Sequence, residues 1–204
     1  MTPGPVAYVR DLLDGLAAPW FLCGGWAVDA WLGRQTREHG DVDIALLHDD
    51  QHAVFTHFAG WTLVGHDPNV PDDTDEPWTG RRLDPPAHIH VPTATSPLAG
   101  AAGTTCARYE FEFLLNEHAG RELVVDPDHR ITVPLEDCAR ESPWGVPTLA
   151  PEIVLFFKGR GRQRPRDQRD FEALLPTLAP VERAWLANSL RQDRADHPWL
   201  PHLG

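Results

Sequence analysis

Apolar residues recur at helical spacing at the start of the chain, at Val6, Val9, Leu12, Leu13 and Leu16, with Arg10, Asp11 and Asp14 between them. This predicts an amphipathic helix over about Val6–Ala17, ended by Gly15 and Pro19. Trp20–Cys23 then reads as a strand, Trp26–Leu32 as a helix, and Val42, Ile44 and Leu46 alternate with other residues as along a second strand. Asp49-Asp50 is placed to cap a helix through about Phe58, with Ala53, Val54, Phe55 and Phe58 inward. Short strands follow at Trp61–Val64 and around His88-Ile89-His90. In Arg108–Leu115, Tyr109, Phe111, Phe113 and Leu115 share one face and Arg108, Glu110, Glu112 and Leu114 the other. Extended pieces at Arg121–Val125 and Ile131–Pro134 continue this hairpin. From Ala150 the pattern turns helical: Pro151–Lys158, Asp167–Leu175 with Asp167 as cap, and Pro180–Arg191, the prolines suiting first-turn positions. The division is an α/β (α+β) domain over about residues 1–145 and a helical C-terminal subdomain over 146–204.

Two stretches carry no pattern. His66–Pro86 is acidic and proline-rich, and a loop of that length is expected to be a mobile flap on the substrate side. Pro92–Thr105 is small and flexible in character.

The chemistry concentrates in Phe21–Leu47, FLCGGWAVDAWLGRQTREHGDVDIALL. Gly24 and Gly25 lack the Cβ atoms that would block a sharp turn or hold a phosphate away from the backbone. The helix after them would aim its free N–H groups and positive end above the turn. Asp41 and Asp43 are two positions apart on a strand, so their carboxylates share a face. An anion-friendly turn opposite paired carboxylates makes sense when cations lie between them, as with Mg²⁺ and a nucleoside triphosphate. In the connecting loop Arg34, Arg37 and His39 precede the aspartates, and a cation there could hold a triphosphate oxygen or simply be solvated.

Gly24-Gly25, a helix, then Asp41-Val42-Asp43 resembles the signature of the nucleotidyltransferase superfamily that includes DNA polymerase β. The fuller run GGWAVDAWLGRQTREHGDVDI is similar to the small antibiotic nucleotidyltransferases of the lincosamide and aminoglycoside 2″ adenylyltransferase kind. The resemblance implies a mixed-sheet nucleotidyltransferase fold. It also implies transfer of a nucleoside monophosphate, AMP from ATP or the equivalent from another nucleoside triphosphate, to a hydroxyl of a small molecule such as an antibiotic. Asp41 and Asp43 would hold two Mg²⁺ ions, with Glu112, or else Glu110 on the same face, as the third carboxylate and metal ligand. Gly24, Gly25, Arg37, His39 and Lys158 would bind the nucleotide. A protein acceptor, as for an antitoxin, and a non-catalytic nucleotide-binding relative are the alternatives.

Lys158 stands out by composition as well. Of 18 basic residues 17 are arginine, so a lone lysine after an apolar helix face suits a point charge reaching a phosphate or a carboxylate. The run GRGRQRPRD after it reads as a basic surface able to meet phosphates. His88-x-His90 could ligate zinc, but no cysteine or third histidine completes a set at sensible spacing, and histidines facing the mouth of the site are the preferred reading.

A net charge of −12 argues against a nucleic-acid partner, which needs a basic surface. It agrees with a cationic small acceptor, and equally with simple solubility. No apolar run approaches the roughly 20 residues of a membrane span. The N-terminus lacks a basic region followed by an apolar core, and Cys23, Cys106 and Cys138 suggest neither disulfides nor zinc. A cytoplasmic protein, monomer or homodimer, is the expectation.

Overall fold

The computed structural model describes residues 1–68, 76–92, 110–128, 130–161 and 163–204. In chain order the elements are α1 (Gly4–Leu12), β1 (Trp20–Leu22), α2 (Gly24–Leu32), β2 (Asp41–Leu47), α3 (Gln51–His57), β3 (Val64–His66), β4 (Glu76–Pro77), β5 (His88–Val91) and β6 (Glu110–Asn116). Then come β7 (His118–Ala119), β8 (Glu122–Val124), β9 (Thr132–Pro134), β10 (Ala139–Glu141), β11 (Pro147–Leu149), α4 (Pro151–Gly159), α5 (Pro165–Leu174) and α6 (Pro180–Asp193). The main sheet has eight strands in the order β10-β11-β1-β2-β6-β5-β3-β4, and β7-β8-β9 form a small second sheet. The main sheet is mixed: β2 runs parallel to β6 and antiparallel to β1, and β5 runs antiparallel to β6.

Period-2 patterning fixes what each face does. On one face Val42, Ile44, Leu46, Phe111, Phe113, Ile89 and Val91 are all buried. Phe58, just past α3, lays its ring 5.9 Å from Phe111 and 6.2 Å from Phe113. A one-residue slip of β2 would turn its apolar set outward, so burial of this face locks the register that the opposite face needs. That opposite face carries Asp41, Asp43, Glu112, His88 and His90.

Helices α4–α6 follow the last sheet strand, which extends to Leu149, and their buried residues Ile153, Phe156, Phe171 and Leu190 belong to the same hydrophobic cluster as the sheet. Pro151 and Pro180 open their helices as expected. Other boundaries differ. Helix α2 begins at Gly24, so the glycines form its first turn. Asp49 and Asp50 lie in a short 3₁₀ turn, and Asp50 makes no side-chain cap to α3. The third strand is displaced to Val64–His66. Asp167 is the third residue of α5, and its carboxylate accepts the Arg164 backbone N–H at 3.0 Å.

The described part of the His66–Pro86 stretch is held to the body. Trp78 and Leu83 are buried, and Gln51 bonds both the N–H and the carbonyl of Leu83. Residues 69–75, and the Pro92–Thr105 stretch apart from Pro92 itself, lie outside the described residues, as do Cys106, Arg108 and Tyr109. Among the described residues no helix is long and apolar enough to cross a membrane.

Candidate active site

Strand β2 begins at Asp41, and its parallel pairing with β6 sets Asp41 opposite Glu110 and Asp43 opposite Glu112. Asp41, Asp43 and Glu112 can each offer a carboxylate oxygen, all within 4.8 Å of one another. The three face a cavity of about 870 Å³, which Gly24, Gly25, Arg37, His39 and Lys158 also line. These eight residues therefore meet in one place, whereas Arg34 does not line the cavity.

The charges there are not independent. Burial raises the Asp43 carboxyl, Asp41 and Glu112 raise it further, and it reaches about 7. Burial pushes Glu112 upward as well, but the His88 hydrogen bond and the His88 and His90 charges outweigh it, and Glu112 ends below its usual value. The proton of the pair thus sits on Asp43 and the charge on Glu112. Cys23 stays a thiol, raised by burial first and by Asp43 and Glu112 next.

The glycines make room for this chain's own side chains. At Gly24, with φ of +63°, a Cβ would overlap the Asp43 carboxylate. Absence of that atom lets the Asp43 side chain lie against the first turn of α2. A Cβ on Gly25 would run into the His39 ring and the Arg37 guanidinium.

Arg37, His39 and Lys158 line the cavity, but each is already tied to a carboxylate. His39 Nε2 meets Asp29 Oδ2 at 2.6 Å, with the His39 side chain only 3% exposed. Asp29, wholly buried on α2, also accepts the Thr36 N–H at 3.1 Å and the Thr36 hydroxyl at 2.5 Å, so it staples the loop that delivers Asp41. The His39 ring lies 4.3 Å from that of Trp26. Arg37 donates to both oxygens of Asp170, from Nε at 3.1 Å and from Nη2 at 3.0 Å. Lys158 Nζ reaches Asp170 at 2.8 Å and Asp167 at 3.9 Å, and Asp167 in turn holds Arg164. Of the two targets proposed for a lone lysine, the structure gives it carboxylates.

Sequence reasoning passed over Asp29 and took Asp167 for a cap, leaving Asp170 without a role of its own. The signal available was an aspartate on the inward side of a helix, a position such residues rarely occupy unless paired. His88 does line the cavity, and Arg160, Arg164 and Arg166 of the basic run line it too.

Residues 6–65 match the model of the aminoglycoside-2″-adenylyltransferase family. A lincosamide resistance protein of Staphylococcus haemolyticus is 40% identical over 52 residues, 26% of this chain. That match spans 31% of the relative's own length. Among solved structures, lincomycin-bound LnuA, a lincosamide antibiotic adenylyltransferase, superimposes with a TM-score of 0.56 at 16% identity, covering 87% of this chain and 99% of LnuA. The chain has the fold of an antibiotic nucleotidyltransferase. ANT(2″)-Ia in complex with adenylyl-2″-tobramycin gives a TM-score of 0.54 at 12% identity, with 92% of this chain and 95% of that one covered. The nucleotidyltransferase fold thus extends well past the segment 6–65, where the sequence likeness lies.

Proposed function

We propose that the protein transfers a nucleoside monophosphate, AMP from ATP, to a hydroxyl of a small and cationic antibiotic-like acceptor, releasing pyrophosphate. The observation that carries the reading is the convergence of Asp41, Asp43 and Glu112 on the cavity, beside the first turn of α2, in a nucleotidyltransferase fold. The donor set is all oxygen, which suits Mg²⁺, and the Asp43 carboxyl is raised by burial and then by repulsion from Asp41 and Glu112, both of which a bound cation would offset. Two Mg²⁺ ions held by Asp41, Asp43 and Glu112 would neutralise the departing pyrophosphate and polarise the attacking hydroxyl.

The chain's own groups supply the rest. The first turn of α2 offers backbone N–H groups to a phosphate oxygen at Gly24 and Gly25. Lys158 and Arg37, tied through Asp170, put a fixed positive edge on the same cavity, and His39 positions the loop rather than reaching the nucleotide freely. As the acceptor oxygen bonds to the α-phosphorus and the bond to the β-phosphate oxygen breaks, Glu112 takes the hydroxyl proton. Glu117 and Asp126 line the cavity as well. One Asp126 oxygen accepts the Ile131 N–H, and the other, buried, makes no hydrogen bond among the described residues but lies 3.7 Å from Arg130 Nε. Acidic residues on the cavity wall suit an ammonium on the acceptor, in keeping with the net charge of −12.

The test is incubation with Mg²⁺ and ATP, or other nucleoside triphosphates in parallel, against a panel of aminoglycosides and lincosamides. A product heavier by one nucleotidyl group, lost in EDTA, is expected. Tight Mg²⁺–ATP binding with no product from any acceptor would overturn the transferase reading.

A further inference from the structure

On the same face of the sheet, one strand beyond Glu112, antiparallel pairing sets His90 directly across from Glu112 and His88 across from Leu114. Ile89 and Val91, the alternate residues of β5, are fully buried, so both imidazoles are committed to the open face. Glu112 Oε2 is 3.2 Å from His88 Nδ1 and 3.3 Å from His90 Nε2. His88, His90 and Glu112 can each supply one ligand atom, all within 4.8 Å. These are long for hydrogen bonds to a carboxylate, which shorten to about 2.7–2.9 Å when charged. They equal the edge of a tetrahedron around zinc, about 3.3 Å for ligand bonds of about 2.0–2.1 Å. His66, across from His88 in β3, adds a third imidazole at the rim, its ring centroid 6.1 Å from His88 and 6.0 Å from His90.

We propose that His88, His90 and Glu112 form a second cation site, for a nitrogen-seeking divalent ion of the Zn²⁺ class. It is separated from the aspartate pair by Glu112, which both sites share. The two donor sets differ in kind: Asp41, Asp43 and Glu112 offer oxygen alone, whereas two imidazoles and one carboxylate favour a borderline transition ion over Mg²⁺. The missing third ligand of His88-x-His90 comes from a strand 24 residues away at its nearest, brought alongside by the sheet. Glu112 joins two chemistries, so an ion on the histidines would fix the orientation of the carboxylate that the transferase reading uses. The site itself requires neither nucleotide nor turnover.

The experiment uses the metal alone on tag-free, metal-stripped protein, with Mg²⁺ in excess to occupy the oxygen site. Zn²⁺ is titrated calorimetrically, and Co²⁺ is added as a spectroscopic stand-in. One Zn²⁺ per chain and visible Co²⁺ bands of a nitrogen-ligated ion are expected. His88→Gln and His90→Gln should each weaken Zn²⁺ at least about tenfold, since losing even an outer-shell partner costs about 10–100-fold. Asp41→Asn, titrated without Mg²⁺ so that nothing competes for the shared Glu112, should retain the single Zn²⁺ site, and thermal melts establish that each variant is folded. Zn²⁺ affinity that is equal in the parent and both histidine variants, or that disappears in Asp41→Asn alone, would place the ion on the aspartates and overturn the proposal. No binding in the parent would leave an ion pair only, and would overturn it as well. None of these readouts involves ATP, so the transferase reading stands or falls separately.

Discussion

Lys158 Nζ lies 2.8 Å from Asp170 Oδ2, and the two side chains are only 9% and 3% exposed. Arg37 Nη2 reaches the same oxygen from the loop after α2 at 3.0 Å. Asp170 therefore fastens the C-terminal helices to the segment that delivers Asp41. Removing one member of a buried ion pair costs about 3–5 kcal/mol, and Asp170→Asn should fall in that range because it orphans two cations. Lys158→Met should cost less, since Arg37 still neutralises Asp170. Denaturant unfolding of both single variants and the double variant gives the coupling, expected at about 1–3 kcal/mol. The Asp170 carboxyl is pushed up by burial, but the hydrogen bonds from Arg37 and Lys158 more than offset this and hold it below its usual value. Its stabilisation is complete above the unfolded value near pH 4 and is lost as pH falls below that, so Asp170→Asn should flatten the acid limb of the stability curve.

Asp43 has the opposite sign. Unfolded, it releases its proton near 3.8; folded, near 7. Between those values the folded state holds the extra proton, so in EDTA stability should decline as pH rises from about 4 to 7 and then level off. Asp43→Asn should abolish that decline. At pH 8 in EDTA it should be more stable than the parent, by up to about 4 kcal/mol for a rise of about three units at about 1.4 kcal/mol each. Mg²⁺ with ATP should stabilise only the parent, by mass action. Thermal melts over pH 4–8 read all three, and a variant weaker than the parent in EDTA at pH 8 would contradict the burial and repulsion that raise Asp43.

Register separates the two glutamates of β6. Glu112 is level with Asp43, and Glu110 is level with Asp41 at the start of the strand. Under the transferase reading, Glu112→Gln should reduce kcat by at least about 10²-fold, the low end for a general base, and Glu110→Gln should do less. Single-turnover rates with a competent acceptor decide it. The reverse order would mean that the proton acceptor is one pleat away.

At Gly25 an added methyl group meets the His39 ring and the Arg37 guanidinium. Gly25→Ala should therefore displace the loop 33–40. Because the methyl can also form part of the helix, the net cost in stability should be modest, about 1–3 kcal/mol as for an overpacked site. Mg²⁺–ATP affinity should fall more than the melting temperature does. Asp29→Asn, which loosens the same loop without touching Gly25, should reproduce the affinity loss.

The local half of the site was legible in the sequence, because period-2 geometry puts Asp41 and Asp43 on one face whatever surrounds them. The alternation of β6 was legible for the same reason, although choosing Glu112 required the likeness to known transferases. What could not be read was pairing across distance. Arg37 and Asp170 are 133 residues apart in the chain, and neither carries a local pattern that names the other. His88-x-His90 lacked a third ligand in linear spacing, and only the β5–β6 ladder supplies it. Asp29 and Asp167 were visible as helical aspartates, but whether such a residue caps, faces water or staples a loop depends on where the helix boundary falls, and that boundary shifted by two residues at both α2 and α5.

Lys158 is also the chain's single lysine, so the side chains offer one primary amine in all. That amine is enclosed by Asp167 and Asp170 and joins α4 to α5. An acylating reagent can reach it only from the cavity, and only when the two carboxylates release it, which turns the residue into a natural label for that opening. The rate at which the ε-amine is modified therefore reports how often the ion pair with Asp170 opens, and a ligand that fills the cavity would register as protection at one known position.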